Sequence, residues 1–177
     1  MGHLLNAEGP EAARANAQKG WLDDFVDGCP APLCRAYKNY RDAKAAGQVL
    51  EGIESDGAYI FYHGTDVDSA VKLLLGAPLS AEFAGNNKID GKLGFYLATD
   101  YADTEYFALR RGEGAVLQYS VSTGAFESLI TSGSAFTPIP PGKTFTPNGY
   151  ELLVPPSNFT LFDELRSSGQ IVVSPSQ

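Results

Sequence analysis

A histidine and a glycine at the end of an apolar run are the most informative local feature of the chain. Residues 58–62 (AYIFY) have the composition of a β-strand and lead directly into His63-Gly64-Thr65. Glycine lets a ligand approach the backbone, and threonine is a residue type that begins helices. An imidazole can donate or accept a hydrogen bond. This combination predicts a binding or catalytic site where the strand ends.

Two later segments carry residues of similar chemical interest. Leu93–Ala98 predicts a second strand that contains Tyr96, and a helix is expected to follow it as far as about Arg111. Glu151 precedes Leu-Leu-Val-Pro-Pro and therefore opens another apolar strand. Taken singly, a tyrosine in a half-buried strand and a carboxylate at a strand edge are ordinary features. Their occurrence together with His63 is what indicates a functional site.

The order and spacing of these segments resemble the ADP-ribosyltransferase superfamily. The likeness is to the branch that contains diphtheria toxin and the poly(ADP-ribose) polymerases, and it covers about residues 58–173. It rests on Tyr-His-Gly-Thr at 62–65, on Gly-Phe-Tyr at 94–96 and on a glutamate that opens a late strand. That branch has an aromatic residue eleven positions after the tyrosine, and Phe107 stands there, with Tyr106 as the alternative ring.

The resemblance implies that NAD is the substrate and that no metal is used. Tyr96 and Phe107 would hold the nicotinamide ring between them, and the backbone of Gly64 would bind its carboxamide. His63 would form a hydrogen bond with a ribose hydroxyl, and Thr65 would belong to the same NAD site. The expected catalytic residues are His63, Tyr96 and Glu151.

The resemblance also assigns a role to Glu151 and to the residues around it. Its carboxylate would stabilise the oxocarbenium-like cation that forms as the bond between nicotinamide and ribose breaks. The arginine-directed branch carries another glutamate two residues earlier, where this chain has Gly149, so free arginine is not expected to be an acceptor. Lys143–Asn148 corresponds to the family's acceptor-recognition loop, and Lys88 and Lys92 are candidates for binding the pyrophosphate.

The implied function is NAD-dependent mono-ADP-ribosyl transfer to a macromolecule, first of all a protein, by a toxin or effector domain. An NAD glycohydrolase, with water as acceptor, would use the same residues. An inactive ADP-ribosyltransferase-like module that binds a partner is the third interpretation. Transfer of label to protein, release of free ADP-ribose alone, and absence of NAD binding distinguish the three.

Composition and charge limit the classes of protein that this chain can represent. With 177 residues, of which 44% are hydrophobic and 19% charged, it can build one domain with a sizeable core. A formal net charge of −8 argues against a general nucleic-acid or anionic-membrane surface, although a nucleic acid stays open as an acceptor. Neither a membrane-spanning run nor a secretory signal is evident, so we expect a soluble form, never exported or already trimmed. Cys29 and Cys34 leave a disulfide and two free thiols equally open.

The expected fold is α+β, with a helical N-terminal extension over residues 1–54 and a catalytic domain over residues 55–177. The resemblance implies an ADP-ribosyltransferase-like domain of two small packed β-sheets around an NAD cleft. Within the extension, helical spacing predicts a helix over Leu33–Ala46 that stops near Gly47.

Three local predictions concern the connections between the strands. Thr65 followed by Asp68 predicts a capping box at the start of a helix. The content of Ser, Thr, Gly and Pro predicts an irregular stretch over residues 122–148. Asn158–Leu165 and Gln170–Val173 are expected to form a closing β-hairpin.

Overall fold

The structure, a computed structural model, describes residues 32–86, 92–109, 113–139 and 149–176. The chain divides into two compact units, residues 1–47 and residues 48–177. Helix α1 spans Pro32–Ile53, so the prediction that a helix stops near Gly47 is wrong. A glycine inside a helix costs only about 1 kcal/mol, and the last turns are stabilised by Leu50 and Ile53, which pack against the core.

The rest of the described chain alternates short helices with antiparallel strands. The strands are β1 (Glu54–Ser55), β2 (Ala58–Asp66), β3 (Gly85–Asn86), β4 (Leu93–Ala98), β5 (Gly114–Ser122), β6 (Ala135–Pro138), β7 (Tyr150–Val154) and β8 (Ile171–Pro175). The helices are α2 (Val67–Leu74), α3 (Tyr101–Leu109), α4 (Thr123–Thr131) and α5 (Phe159–Ser167), with 3₁₀ turns at Ala81–Phe83 and Pro156–Asn158. The predicted mixed α+β class is confirmed.

The strands form one antiparallel series that has a weak link in its middle. The order is β6-β7-β4-β2-β5-β8, with β1 paired to β2 and β3 paired to β4. Strands β2 and β5 are joined by nine residue pairs, whereas the ladder between β2 and β4 consists of Tyr62 opposite Ala98. The series therefore has two halves, β6-β7-β4 and β2-β5-β8, that meet at one residue pair. The more specific expectation of an NAD cleft between two packed sheets stays a prediction.

Different helices cover the two faces of these strands. On the core face, the rings of Phe61 and Phe126 of α4 have centroids 6.2 Å apart, and those of Phe95 and Phe162 of α5 are 5.5 Å apart. Helix α3 covers the other face, which we call the α3 face, and it lies directly on the backbone of β2 and β5. A Cβ atom on Gly64 or Gly114 would overlap backbone carbonyls of α3.

The helix that follows β2 begins differently from the prediction. Thr65 lies inside β2, which continues to Asp66, and Thr65 is therefore not the cap. The Asp66 carboxylate accepts a hydrogen bond from the backbone N–H of Ser69 at 2.8 Å and so caps α2. An aspartate accepts this bond as well as a threonine does, and tertiary pairing with β5 keeps Thr65 in the strand.

Two segments predicted as irregular or extended are helical. Residues 123–131 form α4, capped by Ser122, with Ala125, Phe126 and Leu129 buried on one side. The predicted first strand of the closing hairpin is helix α5, in which Phe159, Phe162 and Leu165 recur at a spacing of three and are buried. The second strand of that hairpin, β8, is present and pairs with β5.

Candidate functional site

At the weak link between β2 and β4, the backbone N–H and C=O groups of Tyr96 and Ala98 on β4 face β2. Successive residues of an antiparallel strand direct their N–H and C=O groups to opposite edges. The N–H of Thr99 donates to the carbonyl of Tyr150 on β7 at 3.0 Å, so Thr99 faces β7. The backbone groups of Ala98, one residue away, therefore face β2 instead. Those of Tyr96, two residues before Ala98 on β4, face β2 as well.

The same reasoning applies to Gly64 on β2. The carbonyl of Val116 on β5 accepts from the N–H of Ser176 at 3.0 Å, so Val116 faces β8 and not β2. Gly64 lies opposite Val116 and consequently directs its own N–H and C=O toward β4. In a continued ladder Gly64 would stand opposite Tyr96, but the ladder ends two residues earlier, at Tyr62. We call the unpaired stretch of the two strands beyond this residue pair the opening.

The side chain of His63 reaches across this opening. Its Nδ1 atom lies 2.7 Å from the carbonyl oxygen of Tyr96. A carbonyl oxygen can only accept, so Nδ1 carries the proton and donates it. In the neutral ring Nε2 is then an acceptor. A side chain thus bonds the carbonyl that Gly64 would face in a regular sheet.

The surroundings of His63 favour this neutral form. The ring is half-buried on the core face, with its centroid 4.2 Å from that of Phe95 and 6.5 Å from that of Tyr119. Burial lowers the pKa of His63, and this outweighs the hydrogen bond to Tyr96 and the charge of Asp66, which both raise it. Because the ordinary pKa of histidine is already about 6.5, the ring is uncharged at neutral pH.

Tyr96 lies on the α3 face, opposite to the ring of His63. Residues paired across a ladder share a face, so Tyr62, Ala98 and, two residues from Ala98, Tyr96 all belong to this face. The Tyr96 side chain is half-buried, and its hydroxyl donates to the carbonyl oxygen of Lys92 at 2.5 Å. The ring also lies against β3, where a Cβ atom on Gly85 would be 3.5 Å from it. Its orientation is thereby fixed at both ends.

Glu151 shares the α3 face with Tyr96. It is half-buried on β7 and stands opposite Ala98, which in turn stands opposite Tyr62. Each step across a ladder is about 4.5–5.5 Å between Cα atoms, so the Cα atom of Glu151 is about 10 Å from that of Tyr62. Tyr96 and Glu151 therefore share the α3 face on neighbouring strands, while the ring of His63, on the core face, contacts the backbone carbonyl of Tyr96.

The role that the sequence predicted for Gly64 needs a correction. We expected its missing side chain to let a ligand approach the backbone. A Cβ atom there would overlap the carbonyl of Thr104 in α3, so the missing side chain makes room for that helix. The N–H and C=O of Gly64 nevertheless face the opening, through the alternation described above.

Several predicted residues lie outside the described part of the structure. The backbone of Phe107 belongs to α3, but its side chain and that of Tyr106 are not described. Lys88 and the loop Lys143–Asn148 also lie outside the described residues.

The remaining predicted residues have these positions. Thr65 is half-buried in β2, opposite Ala115, and Lys92 is exposed just before β4. The side chains of Cys29 and Cys34 are not described, so the question of a disulfide stays open.

Sequence reasoning missed the contribution of Thr99. The helix that follows β4 is capped by Asp100, whose carboxylate accepts from the N–H of Ala102 at 2.9 Å. Thr99 instead binds Tyr150, the residue before Glu151. No local pattern predicts this contact, because the two residues are 51 positions apart.

A cavity of about 460 Å³ lies beside β2, β5 and β8. Its lining consists of Tyr62, Tyr101, Gln118, Ser174, Pro175 and Ser176. Apart from two tyrosine hydroxyls, this lining has no ionisable group, and it contains none of the residues predicted for catalysis. We therefore assign the candidate site to the opening between β2 and β4. There a neutral histidine on the core face contacts the Tyr96 carbonyl, and the Tyr96 ring and the Glu151 carboxylate share the α3 face.

Two features are absent from the residues that the structure describes. Among those residues no three His, Cys, Asp or Glu side chains are grouped so that they could hold a metal ion. No helix in them has the length and apolar character needed to cross a membrane.

Comparison with known proteins found no protein-family model, no curated protein and no solved structure that matches this chain.

Proposed function

We propose that the protein breaks the nicotinamide–ribose bond of NAD and transfers ADP-ribose to a macromolecule, as a toxin or effector domain would. In this proposal the two halves of the strand series form an ADP-ribosyltransferase-like fold, and NAD binds where they separate. The observation that carries the proposal is the interrupted ladder between β2 and β4. There the His63 ring donates a hydrogen bond to the Tyr96 carbonyl, and Tyr96 and Glu151 share the α3 face.

The opening suits the nicotinamide group for two reasons. A carboxamide has a carbonyl acceptor and N–H donors, and Gly64 directs one backbone donor and one backbone acceptor toward the opening. The oriented ring of Tyr96 can stack on a flat heterocycle, which contributes about 0.5–1.5 kcal/mol beyond burial. Backbone atoms thus recognise the amide of the ligand, and the aromatic side chain binds its ring.

His63 and Glu151 supply the polar part of the mechanism. The neutral imidazole presents Nε2 as an acceptor for a ribose hydroxyl. As the bond between ribose C1′ and the nicotinamide nitrogen breaks, its electron pair goes to that nitrogen, and nicotinamide leaves as a neutral molecule. The ribose becomes oxocarbenium-like, and the charge of Glu151 stabilises this cation.

The second half of the reaction consumes the cation. A nucleophilic atom of the acceptor forms a bond to C1′ and loses its proton to the surroundings. With a protein nucleophile the product is ADP-ribosylated protein, and with water it is free ADP-ribose. The same two residues serve both outcomes, so the acceptor must be identified by experiment.

The experiment incubates the protein with NAD labelled in its adenosine part and a cell lysate, and follows label on protein and in free ADP-ribose. Two variants accompany the wild type: Glu151→Gln, and Glu164→Gln as a control, since Glu164 is exposed on α5. We expect labelled protein with the wild type and with Glu164→Gln, and none with Glu151→Gln. Free ADP-ribose without labelled protein would indicate a glycohydrolase. No NAD binding by calorimetry would refute the proposal and favour a partner-binding module.

The acceptor is proposed to be something other than a guanidinium group. Gly149 is buried immediately before β7 and has no carboxylate with which to orient an incoming arginine. We therefore expect no ADP-ribosylated agmatine, and we propose that a protein acceptor is recognised through Lys143–Asn148. Mass spectrometry of the reaction with agmatine tests the first point. Modified agmatine would mean that another residue supplies the second carboxylate.

A further inference from the structure

Thr99 and Tyr150 are joined by three hydrogen bonds where β4 ends and β7 begins. The Thr99 N–H donates to the Tyr150 carbonyl at 3.0 Å, and the Thr99 hydroxyl donates to the same carbonyl at 3.3 Å. The hydroxyl also accepts from the Tyr150 N–H at 3.1 Å. A hydroxyl can donate one bond and accept others at the same time, so the set is chemically consistent.

The hydroxyl takes the place of a backbone group. In a regular antiparallel pair the N–H of Tyr150 would donate to the carbonyl of Thr99. The chain leaves the ladder at this point, because Tyr101 already begins α3. The side chain of Thr99 satisfies the N–H of Tyr150 in place of that carbonyl, so that β7 stays in register with the end of β4 while the backbone turns away.

Tyr150 is held from its other side as well. Its ring is buried and stacks on that of Phe136 in β6, with centroids 5.0 Å apart and planes at 28°. The backbone of Tyr150 is thus anchored to β4 and its side chain to β6. Glu151 is the next residue, so its position along the strands follows from these anchors.

We propose that Thr99 is a positioning residue that sets where the Glu151 carboxylate stands relative to Tyr96. This inference rests on the proposed function. Without the hydroxyl, the bond from the Thr99 N–H and the four residue pairs between β4 and β7 remain, so the sheet is expected to form. The start of β7 loses one of its anchors. A displacement of about 1 Å at a reacting group can lower the rate about 100-fold.

The test compares three variants by steady-state kinetics of nicotinamide release. Thr99→Val removes the hydroxyl at nearly constant shape, Thr99→Ser retains it, and Thr160→Val is the control, because Thr160 is exposed on α5. We expect Thr99→Val to lower kcat about 10- to 100-fold, on the displacement argument. The KM for NAD should stay within a few-fold of the wild-type value, and Thr99→Ser and Thr160→Val should behave like the wild type. Circular dichroism checks that each variant is folded at the assay temperature.

Each other outcome overturns the inference in an identifiable way. An unchanged kcat in Thr99→Val refutes it, and so does an equal loss in Thr99→Ser, since the hydroxyl would then not be responsible. If Thr99→Val does not fold, Thr99→Ala removes the hydroxyl without a bulkier replacement, and a wild-type kcat in that variant also refutes the inference. A wild type that releases no nicotinamide overturns the proposed function and the inference together. If the wild type is active, a failure of the Thr99 variants to show the expected kinetics overturns the inference alone.

Discussion

The two edges of β2 contrast sharply in how their backbone groups are satisfied. Toward β5 the strand forms nine residue pairs, from Ala58 opposite Ser122 to Asp66 opposite Gly114. Toward β4 it forms the pair of Tyr62 and Ala98, after which His63 supplies a side-chain bond. Backbone polar groups of a buried strand need partners. The edge on β5 therefore serves stability, whereas the edge on β4 is where the proposed ligand would bind.

Helix α3 packs directly on the backbone of β2 and on that of its partner strand β5. It approaches the backbone of β2 at Gly64 and that of β5 at Gly114, closely enough that a Cβ atom at either position would overlap it. The glycines are thus needed for packing on both sides. What distinguishes the two edges is the pairing of the strands and the polar side chains beside the opening.

The largest effect is expected from neutralising the carboxylate next to the opening. Glu151→Gln should lower kcat for NAD cleavage about 100- to 1,000-fold, because its charge acts mainly on the cation in the transition state. The KM for NAD should change only a few-fold, and Glu164→Gln should be unaffected. Steady-state kinetics provides both constants. A raised KM with an unchanged kcat would make Glu151 a binding residue.

Placing a methyl group under α3 should be costly at both edges. Gly64→Ala and Gly114→Ala should each lower the free energy of unfolding by about 1–3 kcal/mol, since backbone must shift to admit the Cβ atom. Gly124 in α4 is the matched control, because its Cβ position is open and alanine favours a helix by about 1 kcal/mol. Urea titration measures all three. Equal stability of Gly64→Ala and Gly124→Ala would show that α3 does not press on β2.

Removing the ring beside the opening should weaken ligand binding more moderately. Tyr96→Ala should reduce the affinity for NAD and for nicotinamide together, by the roughly 0.5–1.5 kcal/mol of a stacking contact in addition to lost burial. Tyr96→Phe should be mild, because it keeps the ring and removes the hydroxyl, which bonds the Lys92 carbonyl. Calorimetry with both ligands tests this, and equal losses in the two variants would contradict stacking. Phe107→Ala should resemble Tyr96→Ala, unless Tyr106 supplies the second ring.

The smallest effect concerns the pH dependence of stability. His63 has a lowered pKa in the folded chain and titrates near its ordinary value of about 6.5 when unfolded. Between these two values the unfolded chain binds a proton that the folded chain does not, so the free energy of unfolding should fall as the pH falls below about 6.5. It should level off below the folded pKa. His63→Gln should lack this contribution. Urea titrations at several pH values measure the free energy of unfolding of both proteins, and an equal change with pH in the wild type and in His63→Gln would contradict the expectation.

Much of the strand framework was predictable because it depends on local composition. Leu93–Ala98 was predicted with its observed bounds, and residues 58–62 and 151–154 lie within observed strands. The helix after β2 was also predicted, although with the wrong cap. Helix α5 was mistaken for a strand although its buried residues recur every third position, which is a helical spacing, because a short segment contains too few repeats to identify the period from the sequence.

The sequence by itself determined which residue types stand in this chain and in what order: a histidine after an apolar strand, a tyrosine within the next strand and a glutamate opening a third. It also determined the α+β class. Only the tertiary structure decided that these strands are neighbours, that the ladder between β2 and β4 ends after one pair, and that Thr99 holds the residue before Glu151. The physical reason is that pairing between strands, and its interruption, depend on contacts between residues far apart in the chain, such as His63 with Tyr96, which no local pattern contains.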